Sequence, residues 1–542
     1  MQQPIVTRTI LRTIAAAGLL AFLAACGSGG GGLSTPPPPP PPPPPPTTSW
    51  QPGVFLPAGT FQNRCVAPRT GTNPATNQPF PDVAGTVLDE NNFLRSFSDD
   101  TYLWYDEITD QDPATFSDPL AYFDELKTFA TTASGADRDK FHFTVDSQDW
   151  FDLTQGGVSA GYGAIWAIIS ATVPREIVVA YTEPGSPAMA PAVALLRGTR
   201  LLAMDGFDID TNTQAGVDAL NAALFPSDLG ESHDFVVQDV GAGVSRNITM
   251  VSTTITNAMV QNTQVIATPT GMVGYMTFNF HRAPAESELI DAINFLNTAP
   301  GITDLVLDIR YNGGGFLDIA GQLAYMIAGD TNTAGRSFET LQFNDKHPVT
   351  NPITGAAITP TPFHTTTLGF SVTAGQALPT LDLSRVYVLT GPGTCSASEA
   401  IMNGLRGANV EVIQIGSRTC GKPYGFFEIP NCGTSYFTIQ FRGVNDQNFG
   451  DYTDGFVPSA MDDGQANILG CQVSDDYTKP LGDVTEDRLE VALAHRAGGA
   501  CMVPSAVAAG VSAAPTQPPA VTDGVVYRSP FDSNRILRRP QQ

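Results

Sequence analysis

Two short apolar runs, Val386–Thr390 and Val410–Ile415, stand on either side of a helix-patterned stretch from Ser398 to Arg406. Their length and apolar, β-branched content make each a buried strand, and adjacent strands of one sheet bring whatever follows them to the same edge. After the first comes Gly393-Thr394-Cys395-Ser396-Ala397-Ser398-Glu399, and after the second Thr419-Cys420-Gly421-Lys422-Pro423, with Lys422 26 residues beyond Ser396. A serine hydroxyl is a poor nucleophile at neutral pH unless a neighbour takes its proton, and a lysine kept neutral by apolar surroundings can do so. The same residues have plainer readings. Ser396 to Glu399 fits a capping box at a helix start, and Lys422 taken alone is an ordinary turn lysine.

Upstream, Val273–Phe280 reads as a strand, Ala285–Thr298 as a helix, and Leu305–Gly315 as a buried strand ending in Gly313-Gly314-Gly315. Glycine amides in such a turn have little steric cover, which suits stabilisation of the oxygen that becomes negative when an acyl carbon is attacked. A tight turn into a helix over Phe316–Gly329 accounts for the same glycines.

Taken in order, Gly274-Tyr275, the Asp308–Gly315 segment, Ser396-Ala397-Ser398-Glu399, Gly421-Lys422 and Gly455-Phe456-Val457-Pro458 resemble the carboxyl-terminal processing protease family, also called tail-specific proteases. These are Ser/Lys peptidases that carry a PDZ domain. The resemblance implies Ser396 as nucleophile, Lys422 as general base and Ser398 as helix cap. It also implies an oxyanion hole made by the amides of Gly314, or a neighbouring glycine, and Ala397. It extends upstream, where Gly161-Tyr162-Gly163-Ala164-Ile165 resembles the carboxylate-binding loop and first strand of a PDZ domain, followed by Glu183–Ala188 and Leu195–Gly206. A peptide would add to that sheet as a strand, its carboxylate on the Gly161-Tyr162-Gly163 loop and its side chains against Ile165 and Trp166. There are two departures from the family pattern. Many members carry a glutamine four residues after the lysine to orient it, where this chain has Phe426, with Glu428 the nearest polar alternative. The serine-to-lysine spacing is also one residue longer.

The fold class implied is multidomain α/β. A signal peptide covers 1–26, a Gly/Pro-rich linker 27–50, and an N-terminal helical domain 51–156, with Trp104, Tyr105, Tyr122, Phe123 and Leu126 as its core. A PDZ-like β-rich domain covers 157–256, an α/β protease domain of the tail-specific protease or crotonase-like type 257–500, and an irregular Ala-, Pro- and Val-rich tail 501–542. Arg8, Arg12 and the apolar run Ile14–Ala25 lead to Leu23-Ala24-Ala25-Cys26, which resembles the lipobox of a bacterial lipoprotein signal. Lipid on Cys26 would anchor the chain in the cell envelope, facing the periplasm or the surface, and Gly27 leans toward the outer membrane. The eleven prolines Pro36–Pro46 follow; as polyproline II they span about 34 Å at roughly 3.1 Å each, a semi-rigid spacer.

A formal net charge of −25 argues against nucleic acid as a partner. Six cysteines remain after Cys26, and an even count in an exported chain favours disulfides. The pairs expected are Cys395–Cys420, because the strands leading to them should lie side by side, then Cys432–Cys471, and Cys65–Cys501 joining the ends of the folded region. No cofactor is implied, and neither Cys-x-x-Cys nor a histidine cluster suggests a metal. Of the scattered histidines, His281 is the one to watch, because some relatives of this fold use a histidine-assisted serine. The expected function is a serine endopeptidase that hydrolyses exposed or unfolded C-terminal segments of cell-envelope proteins, with polypeptides bearing free C-termini as partners. The alternative is a catalytically silent scaffold that binds peptide tails.

Overall fold

A computed structural model describes residues 50–74, 76–156, 158–226, 228–298, 301–501, 523–526 and 535–536. The signal segment with Cys26, the linker up to residue 49 and most of the 501–542 tail lie outside the described residues.

The fold is built around a seven-stranded sheet in the order Val260–Thr268, Gly271–Phe278, Asp304–Asp308, Arg385–Thr390, Glu411–Gly416, Asn467–Gln472, Val457–Ser459. The first two strands form an antiparallel pair, and every later pairing is parallel. Parallel neighbours need crossovers, and the helices Ala285–Leu296, Leu317–Thr333 and Ala397–Gly407 lie in three of the connections. Because successive strand residues face opposite ways, Leu305, Leu307, Val386 and Val388 meet these helices. Val306, Tyr387 and Leu389 face the other layer, where the Asp487–Arg496 helix supplies Leu489 and Ala492. A sheet covered on both faces has no solvent side, which explains why its strands read as unbroken apolar runs. The helix expected to end at Gly329 instead kinks there, at a φ of 69°, and continues to Thr333.

Residues 158–256 form a second, antiparallel unit. Its first strand, Val158–Gly161, pairs with its last, Thr253–Thr256, as a separate two-stranded ribbon, so the chain enters and leaves side by side. The main strands run Arg246–Val251, Ser232–Gln238, Arg200–Met204, Glu176–Thr182, Ala164–Ser170, and then Val525–Val526 from the end of the chain. The Gln214–Leu224 helix lays Leu220 and Leu224 over Trp166, Val179, Met204 and Phe235.

The 51–156 stretch differs from a separate helical domain. Its main helix, Val87–Thr101, starts at a capping box between Thr86 and Asp89. Phe93, Leu94, Tyr122, Phe123 and Leu126 are buried, but they share one core with Phe343, Phe427, Tyr436 and Phe441 from far along the chain. Trp104 and Tyr105 are only half-buried. The strand Phe143–Asp146 pairs with Thr434–Phe437, completing a small sheet with Ile429–Asn431. An amphipathic helix must bury its apolar stripe against something, and here the partner is this later layer.

Among the described residues there are three disulfides. Cys395–Cys420 joins as expected, whereas the other four cysteines pair as Cys65–Cys432 and Cys471–Cys501, correcting the expected Cys432–Cys471 and Cys65–Cys501. The reason is placement. Cys432 sits in the hairpin on which the N-terminal stretch lies, beside the bond from Asn63 N to Asn431 Oδ1 at 2.8 Å. Cys471 belongs to a strand of the main sheet, and the chain returns to it after the Asp487–Arg496 helix. Non-reducing peptide mapping is expected to recover these three pairs. Replacing Cys65 and Cys432 together by serine should lower stability by about 2–4 kcal/mol; an unchanged denaturant midpoint would contradict the clasp described here.

Candidate active site

The strands Arg385–Thr390 and Glu411–Gly416 run parallel with Thr390 opposite Gly416, and Ser396 and Lys422 each stand six residues beyond those ends. Both are fully buried. The two turns are tied together by the Cys395–Cys420 disulfide and by Cys420 N donating to Thr394 O at 3.0 Å.

The main connector is Glu399, a fully buried carboxylate in the first turn of the Ala397–Gly407 helix. It accepts from Ser396 N at 2.9 Å, Lys422 N at 2.8 Å, Gly421 N at 2.9 Å and Thr419 Oγ1 at 2.5 Å. Burial pushes its carboxyl up, against these hydrogen bonds, which pull it down. The backbone half of a capping box is therefore real, and it coexists with an unusual serine. Ser396 has φ 60° and ψ −111°, a conformation costing a non-glycine residue on the order of 1–3 kcal/mol, and its buried Oγ makes no hydrogen bond. Gly421, at φ 81°, lets the second turn close, because a Cβ there would lie 2.1 Å from Thr453 O.

Lys422 Nζ lies 4.4 Å from the Phe141 ring centroid and 4.8 Å from that of Phe426. Phe426, in the place where the resemblance led to an expected glutamine, thus contributes a ring face, and Phe141 reaches the lysine from the N-terminal stretch. Glu428, the nearest polar alternative, accepts from Ser435 Oγ.

On the other side of the serine, Asn312 organises the glycine turn. Its side chain donates to Phe278 O at 2.9 Å and accepts from Gly314 N at 3.0 Å. Its carbonyl accepts from Cys395 N at 3.1 Å and from Ser398 Oγ at 2.9 Å. Two expectations are corrected by these bonds. Ser398 is not the helix cap; it fastens the helix to the glycine turn. The Gly314 amide is already engaged by Asn312. Ala397 opens the helix, where an N–H has no intrahelical acceptor. His281 Nδ1 lies 3.0 Å from Asn312 Oδ1, an acceptor, so Nδ1 carries the proton. Burial pushes this imidazole down to about 3, so it is neutral at ordinary pH, and its buried Nε2 has no partner. Asn312, Phe141 and the connecting role of Glu399 escaped the sequence reading. Asn312 could have been suspected from its place just before three glycines.

Beneath the turn, Arg310 donates to Asp308 at 2.9 Å and to Asp475 and Glu486 at 2.6 Å, all within the interior. Arg197, from the second sheet's unit, joins at 2.6 Å to Tyr311 Oη and Asp475. Burial alone would raise Asp475; Arg197, Arg310 and Arg488 hold it well below the usual carboxylate range. Asp308 therefore has a structural part.

Among the expected peptide-binding residues, Gly161 pairs with Thr253, and Gly163, at φ 75°, is so close to Ser186 that a Cβ would lie 2.2 Å from it. Ile165 is half-buried beside Ala167 and Tyr181. Tyr162 points inward, with its ring edge-on to Phe235 at 5.7 Å, and Trp166 is in the same core. Those two side chains do not form a wall for a peptide, because the helix over the sheet covers them.

Residues 270–440, spanning the glycine turn, Ser396 and Lys422, match the model of peptidase family S41, and residues 89–143 match that of the peptidase S41 N-terminal domain. No curated protein matches the chain. A crystal structure of a protein assigned as an S41 protease from Bacteroides fragilis shares the fold at a TM-score of 0.54, with 22% identity over 77% of this chain and 98% of that one. Weaker likenesses are the photosystem II D1 C-terminal processing protease, at 17% identity over 70% of this chain and 94% of that one with a TM-score of 0.41, and CPAF complexed with lactacystin, at 11% over 69% and 92% with 0.38. The chain is a serine-type peptidase. Its likeness to peptidase family S41 is carried by residues 89–143 and 270–440.

Glu399→Ala should cost about 3–5 kcal/mol, because three backbone donors and a hydroxyl lose their buried acceptor. Chemical denaturation of that variant beside wild type measures it; a change under 1 kcal/mol would show that Glu399 does not hold the site together.

Proposed function

We propose that the chain is an endopeptidase in which Ser396 is the nucleophile and Lys422 its general base, acting on exposed or unfolded C-terminal segments of cell-envelope proteins. The observation that carries this reading is the Glu399 carboxylate, which holds the backbones of Ser396 and Lys422 on one group while the Ser396 hydroxyl is left without a hydrogen bond. A nucleophile tied up in a cap would be a poor one. Ser396 Oγ attacks the scissile carbonyl and passes its proton to Lys422 Nζ, which returns it to the leaving amine; water then repeats the sequence on the acyl ester. The oxyanion falls to the Ala397 amide and to Gly313 or Gly315, since Gly314 N is engaged by Asn312.

The 158–256 unit acts in this reading as a PDZ-like module that takes a peptide by strand addition beside the Gly161–Gly163 loop. Export and a lipid on Cys26 would place the enzyme at the envelope, where disulfides persist. The bond between Cys395 and Cys420, immediately beside the nucleophile and two residues before the base, suits such a compartment.

Ser396→Ala and Lys422→Met should each lower kcat/KM for casein or a fluorogenic peptide by about 10³-fold or more, with circular dichroism unchanged. Wild-type-like turnover by either variant would sink the assignment. In the active enzyme kcat/KM should rise with pH along one limb, because only the unprotonated amine of Lys422 accepts the serine proton. A profile that instead falls as the pH is raised from 6 to 9 would point to a different base.

A further inference from the structure

Two short strands from the end of the chain lie along the path that a substrate of the proposed enzyme would follow. Val525–Val526 pairs antiparallel with Ile168 and Ala167, on the edge of the strand that leads out of the Gly161–Gly163 loop. Arg535–Ile536 pairs parallel with Gly315–Phe316 and also lies against Tyr424–Gly425. The first of those partners belongs to the glycine turn, and the second begins two residues after Lys422. An exposed strand edge is where an extended peptide gains main-chain hydrogen bonds. Here the chain supplies that peptide itself.

The first strand is firmly held. The Asp523 carboxylate accepts from Asp475 N at 2.8 Å, from Arg488 Nη2 at 2.6 Å and from Ser417 Oγ. Val526 is buried with Ala167, Tyr181 and Tyr311. Gly524 fits where a Cβ would come within 2.9 Å of Tyr477 Oη and 3.1 Å of Ala167 Cβ. A polar, solvent-facing tail would need neither the buried carboxylate nor the close fit.

We infer that the chain's own C-terminal segment, moored at Asp523–Val526, is a ligand of its peptide channel in cis and competes there with substrate peptides. The inference rests on the proposed roles of Ser396 and Lys422 for where the channel runs. Tethering raises the local concentration of such a segment to the millimolar range, so a weakly binding sequence is enough to keep the channel filled. Arg535 and Ile536 then lie beside the glycine turn, where the reacting carbonyl of a substrate belongs.

The test uses the full chain, a variant ending at Val526, and full-length Ile536→Pro, which removes one ladder donor and leaves the mooring intact. Each is made both with Ser396 and as Ser396→Ala. In the Ser396→Ala set, a labelled synthetic peptide of residues 527–542 should bind the shortened protein at least about tenfold more tightly than the full chain, with Ile536→Pro between them. In the active set, shortening should lower KM for a fluorogenic peptide by a similar factor, and unlabelled 527–542 peptide should restore the higher value competitively. Intact mass of the active full chain completes the comparison: loss of residues beyond Val526 that Ser396→Ala prevents also shows occupancy, with the segment cut as a substrate. An uncut tail together with equal peptide affinity in all three Ser396→Ala proteins would overturn the inference. If no protein in the active set hydrolyses anything, the proposed catalytic roles fail, and the binding series still decides whether the segment fills the channel.

Discussion

One buried carboxylate sets the spacing on which the site depends. Glu399 is satisfied by amides and a hydroxyl, all from the two turns it joins. Burying a carboxylate is unfavourable unless such donors converge on it, and their convergence requires both turns to be in place. The serine turn and the lysine turn therefore form as a unit or not at all. The sheet brings them near, through the Thr390–Gly416 register, and Glu399 converts proximity into fixed geometry.

Asn312 extends the same logic to the third piece. Its carbonyl holds Cys395 N and Ser398 Oγ, while its side chain fixes Gly314 and meets His281. Arg310, two residues earlier, anchors that segment in the interior and shares Asp475 with Arg197 of the second sheet's unit. A shift in that unit would thus be felt at residues adjoining the glycine turn, through charged groups for which burial makes loss of a partner expensive.

Much of the central fold was legible because local pattern and tertiary environment agree. Strands such as Leu305–Asp308 and Val386–Thr390 are covered on both faces, so apolar runs between turn residues mark them directly. The contacts that complete the site were not legible. Phe141 stands hundreds of residues from Lys422, and nothing in its neighbours announces the contact. The positive φ of Ser396 is imposed by Glu399 and Asn312, not by a glycine. The Cys395–Cys420 pair followed from neighbouring strands, whereas Cys65–Cys432 depended on a hairpin whose position only the folded chain shows. Two-residue strands such as Val525–Val526 exist because an edge is there to receive them, and so short a run carries no period of its own.

The Cys65–Cys432 bridge has a mechanical consequence. Force applied to the chain ahead of Cys65 does not begin by peeling away the Val87–Thr101 helix and the layers after it. It passes through the sulfurs to the hairpin at Cys432, bypassing the covalent path between two residues 367 positions apart. One strand of that hairpin, Thr434–Phe437, is paired along its length with Phe143–Asp146, so the load is delivered to a three-stranded sheet instead of to a lone helix.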